Sequence, residues 1–278
     1  MPLPPFVIPR FNPREIPGLQ AWYDAADAAS VITEGSPLRV SQWSDKSGLG
    51  RHATNTTSGS TQPSYSTAAR NGLNVVRFAA ASVQRLTVPS STATFKFLHD
   101  GTESYIAAVS VYGTVANPNA FYGLFGNSRG SLPTGFQLVY RDSGTANDAL
   151  TFDIANNGTA VANGLTAGNS AVIAAHNNLA PAQTMVVQEV AIDADNATAS
   201  QRIKLRVNGG TEVAENNKTG APDSGNAEQN MQIGAVGNNV GPLQGDICEI
   251  LLFNQLPTAA ARDLIRRYLG SKWGVTVG

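Results

Sequence analysis

The chain has a single cysteine, Cys248, among 278 residues, so no internal disulfide can form and the fold must hold without covalent staples. Cys248 sits inside an apolar run, where its plain reading is a buried, inert thiol. Charge is scarce too. Charged residues make up 14% of the chain and the net charge is −1, without the clustered Lys and Arg that nucleic-acid binding requires. No apolar run approaches the ~18 residues of a membrane-spanning helix. The three histidines, His52, His99 and His176, are far apart. No Cys/His metal spacing, phosphate loop or Gly-x-Ser-x-Gly nucleophile motif occurs. The histidines therefore read as core or surface residues, with His52 bracing the loop before it. The start, Met1 to Arg10, lacks a basic beginning and is broken by prolines, so it does not read as a signal peptide.

Helical periodicity is missing until the end of the chain. What is present is a series of short apolar segments separated by Gly-, Asn- and Ser-rich turns, which indicates a β sandwich. The clearest segment is Ile247 to Phe253, almost unbroken in its apolarity and bounded by Gly245 and Asn254. Alternation assigns Ile247, Glu249, Leu251 and Phe253 to one face and Cys248, Ile250 and Leu252 to the other. Both faces are apolar, so one should meet a facing sheet and the other a lid. The lid is the one convincing helix, about 258–273, with Leu264, Ile265, Tyr268, Leu269 and Trp273 as its stripe. Thr258 is its N-cap, Gly274 its stop, and Asp263 and Arg267 pair across one turn.

Upstream, strands are expected at Leu19–Asp24, Leu38–Trp43 (with Val40 and Trp43 in the core), Gly72–Phe78 and Arg85–Val88. Further strands are expected at Tyr105–Val111, Ala120–Phe125, Gly135–Tyr140, Leu150–Ile154, Ser170–Ala175, Thr184–Ile192 and Ile203–Val207. Asn208-Gly209 marks a hairpin turn, since both residues tolerate positive φ. Asn55–Tyr65 and 214–230 read as polar loops. Residues 1–18 contain six prolines and form an extended arm, with 19–278 as the domain. Phe6, Val7, Ile8 and Phe11 would anchor that arm on a partner.

The pieces Trp22-Tyr23-Asp24-x-x-Asp27, Val40-Ser41-Gln42-Trp43-x-Asp45-Lys46-Ser47-Gly48-x-Gly50-x-His52-Ala53 and Gly72-Leu73 with Val76-Arg77-Phe78 resemble the laminin-G-like, concanavalin-A-like jelly-roll family. So do Ile233-Gly234, Gly245-Asp246-Ile247-x-Glu249-Ile250-x-x-Phe253-Asn254 and the ending Tyr268-Leu269-x-x-Lys272-Trp273-Gly274. The resemblance brackets 19–274. It implies an all-β fold of two stacked antiparallel sheets, in a family found in carbohydrate-binding, adhesion and bacteriophage structural proteins. Asp45, Gly48 and Gly50 read as loop architecture rather than as a site.

Glucanases resembling this fold carry a tight Glu-x-Asp-x-x-Glu or Glu-x-Asp-x-Glu cluster on one strand, and the chain has none. Glu249 is flanked at alternate positions by Ile247 and Leu251, so it reads as a carboxylate satisfied by an Arg or by backbone donors near the helix start. Calcium is the one ion with candidate ligands, Asp193 and Asp195 on an oxygen-rich turn. Asp24, Asp27 and Asp45 form a second acidic set. Tyr112, Tyr122 and Tyr140, with Phe121 beside them, are the candidate glycan contacts. The expected function is a non-enzymatic virion structural protein, a capsid decoration (cement) protein or a head- or tail-attached fibre component. It would be a homo-oligomer, a trimer for instance, docked through its arm to other virion proteins at the particle surface. The alternative is a carbohydrate-binding or adhesion module, virion-mounted or secreted. Neither reading involves nucleic acid or membrane.

Overall fold

The computed structural model describes residues 11–57, 59–113, 121–128, 134–141, 149–156, 159–163, 185–214, 222 and 224–278. The strands are β1 Leu19–Asp24, β2 Val31–Glu34, β3 Arg39–Trp43, β4 Ala53–Thr54, β5 Ser64–Arg70, β6 Leu73–Phe78, β7 Leu86–Thr87, β8 Ser104–Tyr112 and β9 Phe121–Gly126. They continue with β10 Thr134–Arg141, β11 Ala149–Asn156, β12 Thr159–Asn163, β13 Met185–Ile192, β14 Ile203–Val207, β15 Val213–Ala214, β16 Gln232–Ile233 and β17 Gly245–Phe253. A one-turn helix α1 (Ala199–Arg202) precedes β14, and α2 (Ala259–Trp273) follows β17.

Among the described residues every strand pairing is antiparallel, and the pairings trace two layers. One runs β5–β6–β17–β8–β13–β14–β15, with β1 beside β6 on the same edge of β17. The other runs β2–β3–β4–β7–β16–β9–β10–β11–β12. Among the described residues a single bridge, Arg39 to Ser64, joins them. Ile106, Val190, Ile250 and Leu252 of the first layer meet Leu124, Phe136, Leu138 and Phe152 of the second in one buried cluster, together with Val40 and Trp43. Burying each such side chain contributes roughly 1.5–3 kcal/mol. Gly234, next to β16, is held at φ +84°, and a Cβ there would fall 2.1 Å from the Phe78 ring of the opposite layer. Only glycine lets the layers close at that point.

The first layer's outer face carries α2. Ile265, Leu269 and Trp273 are fully buried against Cys248, Leu251 and Phe253 of β17, Tyr105, Ala107 and Val109 of β8, and Val187 of β13. β17 is thus covered on both faces, as its composition requires. Simple alternation nevertheless misassigns its first residues. The ladder to β8 skips from Ile247 to Glu249. Cys248 is the extra residue of a bulge, which puts Ile247 on the inner face with Ile250 and Leu252. The bulge falls where β17 changes neighbour from β6 to β1.

The ends of α2 follow the sequence. The Thr258 side chain accepts from the Ala261 N–H, Gly274 stops the helix at φ +71°, and Arg267 pairs with Asp263 at 2.8 Å. Leu264, expected in the buried stripe, is 52% exposed, and Arg266 is buried in its place. Asn208 and Gly209 both take positive φ between β14 and β15. The stretch expected as the 55–65 loop ends in an edge strand, β5, whose polar residues left no apolar alternation to read. The strand expected at 170–175 lies outside the described residues, as do 215–221 and 223 of the loop expected at 214–230.

Candidate functional site

β1 carries two residues that organise a groove, Trp22 and Asp24. Beside β1 runs the loop from Asp45 to Gly50, and its geometry is set by one buried carboxylate. Asp45 accepts from the Trp22 N–H at 2.9 Å, the Ser47 N–H at 2.8 Å, the Ser47 hydroxyl at 2.7 Å and the Arg51 N–H at 3.1 Å. The Asp45 N–H donates to His52 Nδ1 at 3.0 Å, so His52 does brace this loop, and Gly48 and Gly50 supply φ of +98° and +72°. The loop is architecture, and it has a consequence for Lys46. With the backbone clamped, the Lys46 ammonium is delivered between Asp24 at 2.8 Å and Asp27 at 2.7 Å, and 4.3 Å above the Trp22 ring.

The last turn of α2 completes the assembly. Lys272 reaches Asp24 at 2.6 Å and Glu249 at 2.7 Å. Glu249 is fully buried and accepts three further bonds of 2.8 Å, from the indoles of Trp22 and Trp273 and from the Tyr268 hydroxyl. It is therefore satisfied, but by a lysine and three aromatic donors at the helix end rather than by an Arg or backbone groups at its start. Burial raises its pKa, against the pull of Lys272.

Asp24 and Glu249 are cross-strand partners on β1 and β17. Contacting one ammonium, they come within the ~5 Å separation of a retaining glycosidase pair. Both are engaged by donors. Asp24 is 4% exposed and holds two lysines, and Glu249 has both oxygens taken by donors.

Above this network opens a groove of about 920 Å³, lined by Phe11 to Glu15, Trp22, Asp24, Asp27, Lys46, Leu73, Tyr268 and Lys272 among others. Phe11 packs on Tyr268 with ring centroids 5.1 Å apart, and Arg14 donates to the Lys46 carbonyl at 2.6 Å. Of the expected arm anchors, Phe11 thus lies on its own domain, as does the buried Ile16, while Phe6, Val7 and Ile8 lie outside the described residues.

The other expected sites are placed differently. Tyr112, Tyr122 and Tyr140 are 3%, 5% and 1% exposed, and their rings pack on one another with centroids 5.2 Å apart. They face the inner side of their strands, and they form core rather than a surface platform. Tyr140 is anchored there by Ser110 and Gln188. Asp193 accepts from the Asn196 amide at 2.6 Å, and Asp195 is exposed beside it. Among the described residues, no group of three or more His, Cys, Asp or Glu gathers to hold a metal. His99 is buried, and His176 lies outside the described residues.

Two solved arabinofuranosidase structures share the fold. An arabinofuranosidase complexed with arabinofuranosyl-α-1,2-xylobiose aligns with a TM-score of 0.54 at 16% identity, over 93% of this chain and 60% of that one. A GH54 α-L-arabinofuranosidase soaked with a cyclic sulfate inhibitor gives 0.54 at 14% identity, over 94% and 60%. The Ruminococcus gnavus IT-sialidase CBM40 gives 0.42 at 14% identity, over 63% and 86%. No protein-family model matches the chain, and a comparison with curated proteins finds no match. The chain spans about three fifths of the arabinofuranosidases. What it has in common with them at these identities is an all-β sandwich.

Proposed function

We propose that this chain is a non-catalytic, concanavalin-A-like recognition domain, and that it holds a carbohydrate in the groove between Phe11–Glu15, β1 and the end of α2. The observation that carries the reading is the groove's lining. The rings of Phe11, Trp22 and Tyr268 supply an apolar wall, and Asp27, Lys46 and Lys272 supply fixed polar groups. That combination suits a polyhydroxylated ligand, and the volume falls in the ~300–1,000 Å³ range of small-molecule sites. The shared fold adds support, because the aligned arabinofuranosidase is a carbohydrate-active protein complexed with an oligosaccharide. The occupied state of Asp24 and Glu249 supports a binding role over hydrolysis.

The test is an array of neutral and acidic oligosaccharides probed with the full chain and with Asp27→Asn and Lys46→Met. Saturable binding of at least one glycan, weakened tenfold or more by either substitution, supports the reading. A folded wild-type chain that retains no glycan, or binding indifferent to both substitutions, overturns it. The expected virion role, with an arm docked to a shell, rests on sequence resemblance. It is tested separately by shell binding of a chain lacking residues 1–10, because Phe11 and Ile16 pack into the domain and must stay.

A further inference from the structure

We propose that a second site, on the flank of α2 away from the groove, receives one oxygen of an anionic group: a sulfate, phosphate or carboxylate. The site is a small depression lined by Tyr105, Glu189, Ala191, Lys204, Arg206, Glu212, Arg262 and Arg266. It shares no lining residue with the groove. Its composition is unusual for a chain of net charge −1, with four cations facing two carboxylates.

The two carboxylates do not serve the four cations equally. Glu189 is saturated: Arg266 donates to it at 2.6 and 3.1 Å, and the Tyr105 hydroxyl at 2.5 Å. Glu212 is shared loosely, 3.3 Å from Arg206 and 3.7 Å from Lys204, with all three side chains between 27% and 30% exposed. Arg262 is left over. Its Nε–H is buried and has no hydrogen-bond acceptor among the described residues. A buried donor without a partner costs about 1–3 kcal/mol, so an acceptor brought by a ligand gains what the fold leaves unmade. The enclosed space is about 10 Å³, room for one water-sized group. One oxygen fits there while the rest of the ligand stays outside. Glu212 is the built-in competitor: its carboxylate occupies the position between Lys204 and Arg206 that an incoming anion would take.

Isothermal titration of the full chain with sodium sulfate, phosphate and acetate tests this, each run against sodium chloride at matched ionic strength. At least one oxyanion is expected to bind saturably at one site, and the three arms rank the anion classes. Arg262→Gln is expected to weaken that binding at least tenfold, and Lys204→Met serves in its place if that variant does not fold. Glu212→Gln is expected to tighten it severalfold, a gain that general screening by salt would not produce. Arg267→Gln, at a residue whose side chain is 73% exposed and does not line the depression, is expected to leave it unchanged. Heats that track ionic strength alone, or Arg262→Gln binding like the wild type, would overturn the proposal.

Discussion

Trp273, on the last turn of α2, donates its indole N–H to Glu249 in β17 at 2.8 Å. With Trp22 on the other carboxylate oxygen, it makes one buried acid the tie between the first strand, the central strand and the final helix. Every partner of Glu249 in this shell is a donor. Glu249→Gln would set an amide N–H₂ against donors and leave Lys272 with Asp24 as its remaining carboxylate. We expect it to cost about 3–5 kcal/mol, as breaking a buried charge pair does. Trp273→Phe keeps an aromatic ring but removes one charge-assisted bond, at a cost of about 1.5–3 kcal/mol, and the smaller phenyl adds a packing loss at this fully buried position. Urea denaturation midpoints measure both, and a Glu249→Gln chain within 1 kcal/mol of wild type would contradict the account.

Much of this layout was legible because its signals are local. Ile247–Phe253 is an apolar run with turn residues at its ends, and Thr258 and Gly274 bracket α2 as any capped helix is bracketed. The bulge at Cys248 was not legible, since it arises where β17 exchanges β6 for β1, a contact between distant segments. β4, β7, β15 and β16 are two residues long, too short for any period to appear. The groove shows the same division. Asp24, Asp27 and Asp45 stand out in the sequence as oxygen-rich, and they read as a calcium candidate. The actual partner of Asp24 and Asp27 is Lys46, next to Asp45 in the sequence, and the second lysine on Asp24, Lys272, comes from the far end of the chain. The cue was there in the adjacency of Lys to Asp in one piece and to Trp in the other. What the chain could not reveal is that the fold superposes them.

Asp45 predicts the loop's response to mutation. Asp45→Ala removes the acceptor for the backbone N–H groups of Trp22, Ser47 and Arg51 at once. We expect a loss of about 2–4 kcal/mol, from several bonds to a charged group, each contributing about 1.5–3 kcal/mol and overlapping in effect. Amide exchange at those three residues should accelerate more than at β8. Unchanged exchange there would show that Asp45 does not clamp the loop.

Cys248 should be unreactive in the folded chain. It is fully buried, and burial pushes its thiol well above the ordinary range, so little thiolate forms at neutral pH. A chromogenic disulfide reagent is expected to titrate no thiol in native buffer and one in 8 M urea, the concentration being that of about complete unfolding. Rapid native labelling would mean that the seam between α2 and β17 opens readily.

The Asp27–Lys46 pair sets a pH window for the groove. The hydrogen bond from Lys46 lowers the Asp27 pKa below its ordinary 3.8, although burial opposes the shift. The folded chain therefore binds that proton less readily than the unfolded chain. The stabilisation is complete above the ordinary value and is lost as pH falls through the lowered one. For Lys46, burial acts to lower the pKa, but the bonds to Asp24 and Asp27 prevail and raise it above 10.5. Its contribution is complete below that value and fades as pH rises through the raised one. Asp27→Asn should accordingly destabilise the chain across neutral pH and converge with wild type in acid, as pH falls through the lowered Asp27 value. The Asp27 side chain is 38% exposed, so solvent screening limits the difference to about 0.2–1 kcal/mol. Denaturation of both chains from pH 2.5 to 9 measures it, and a stability gap that persists undiminished in acid would assign the effect to something other than this ion pair.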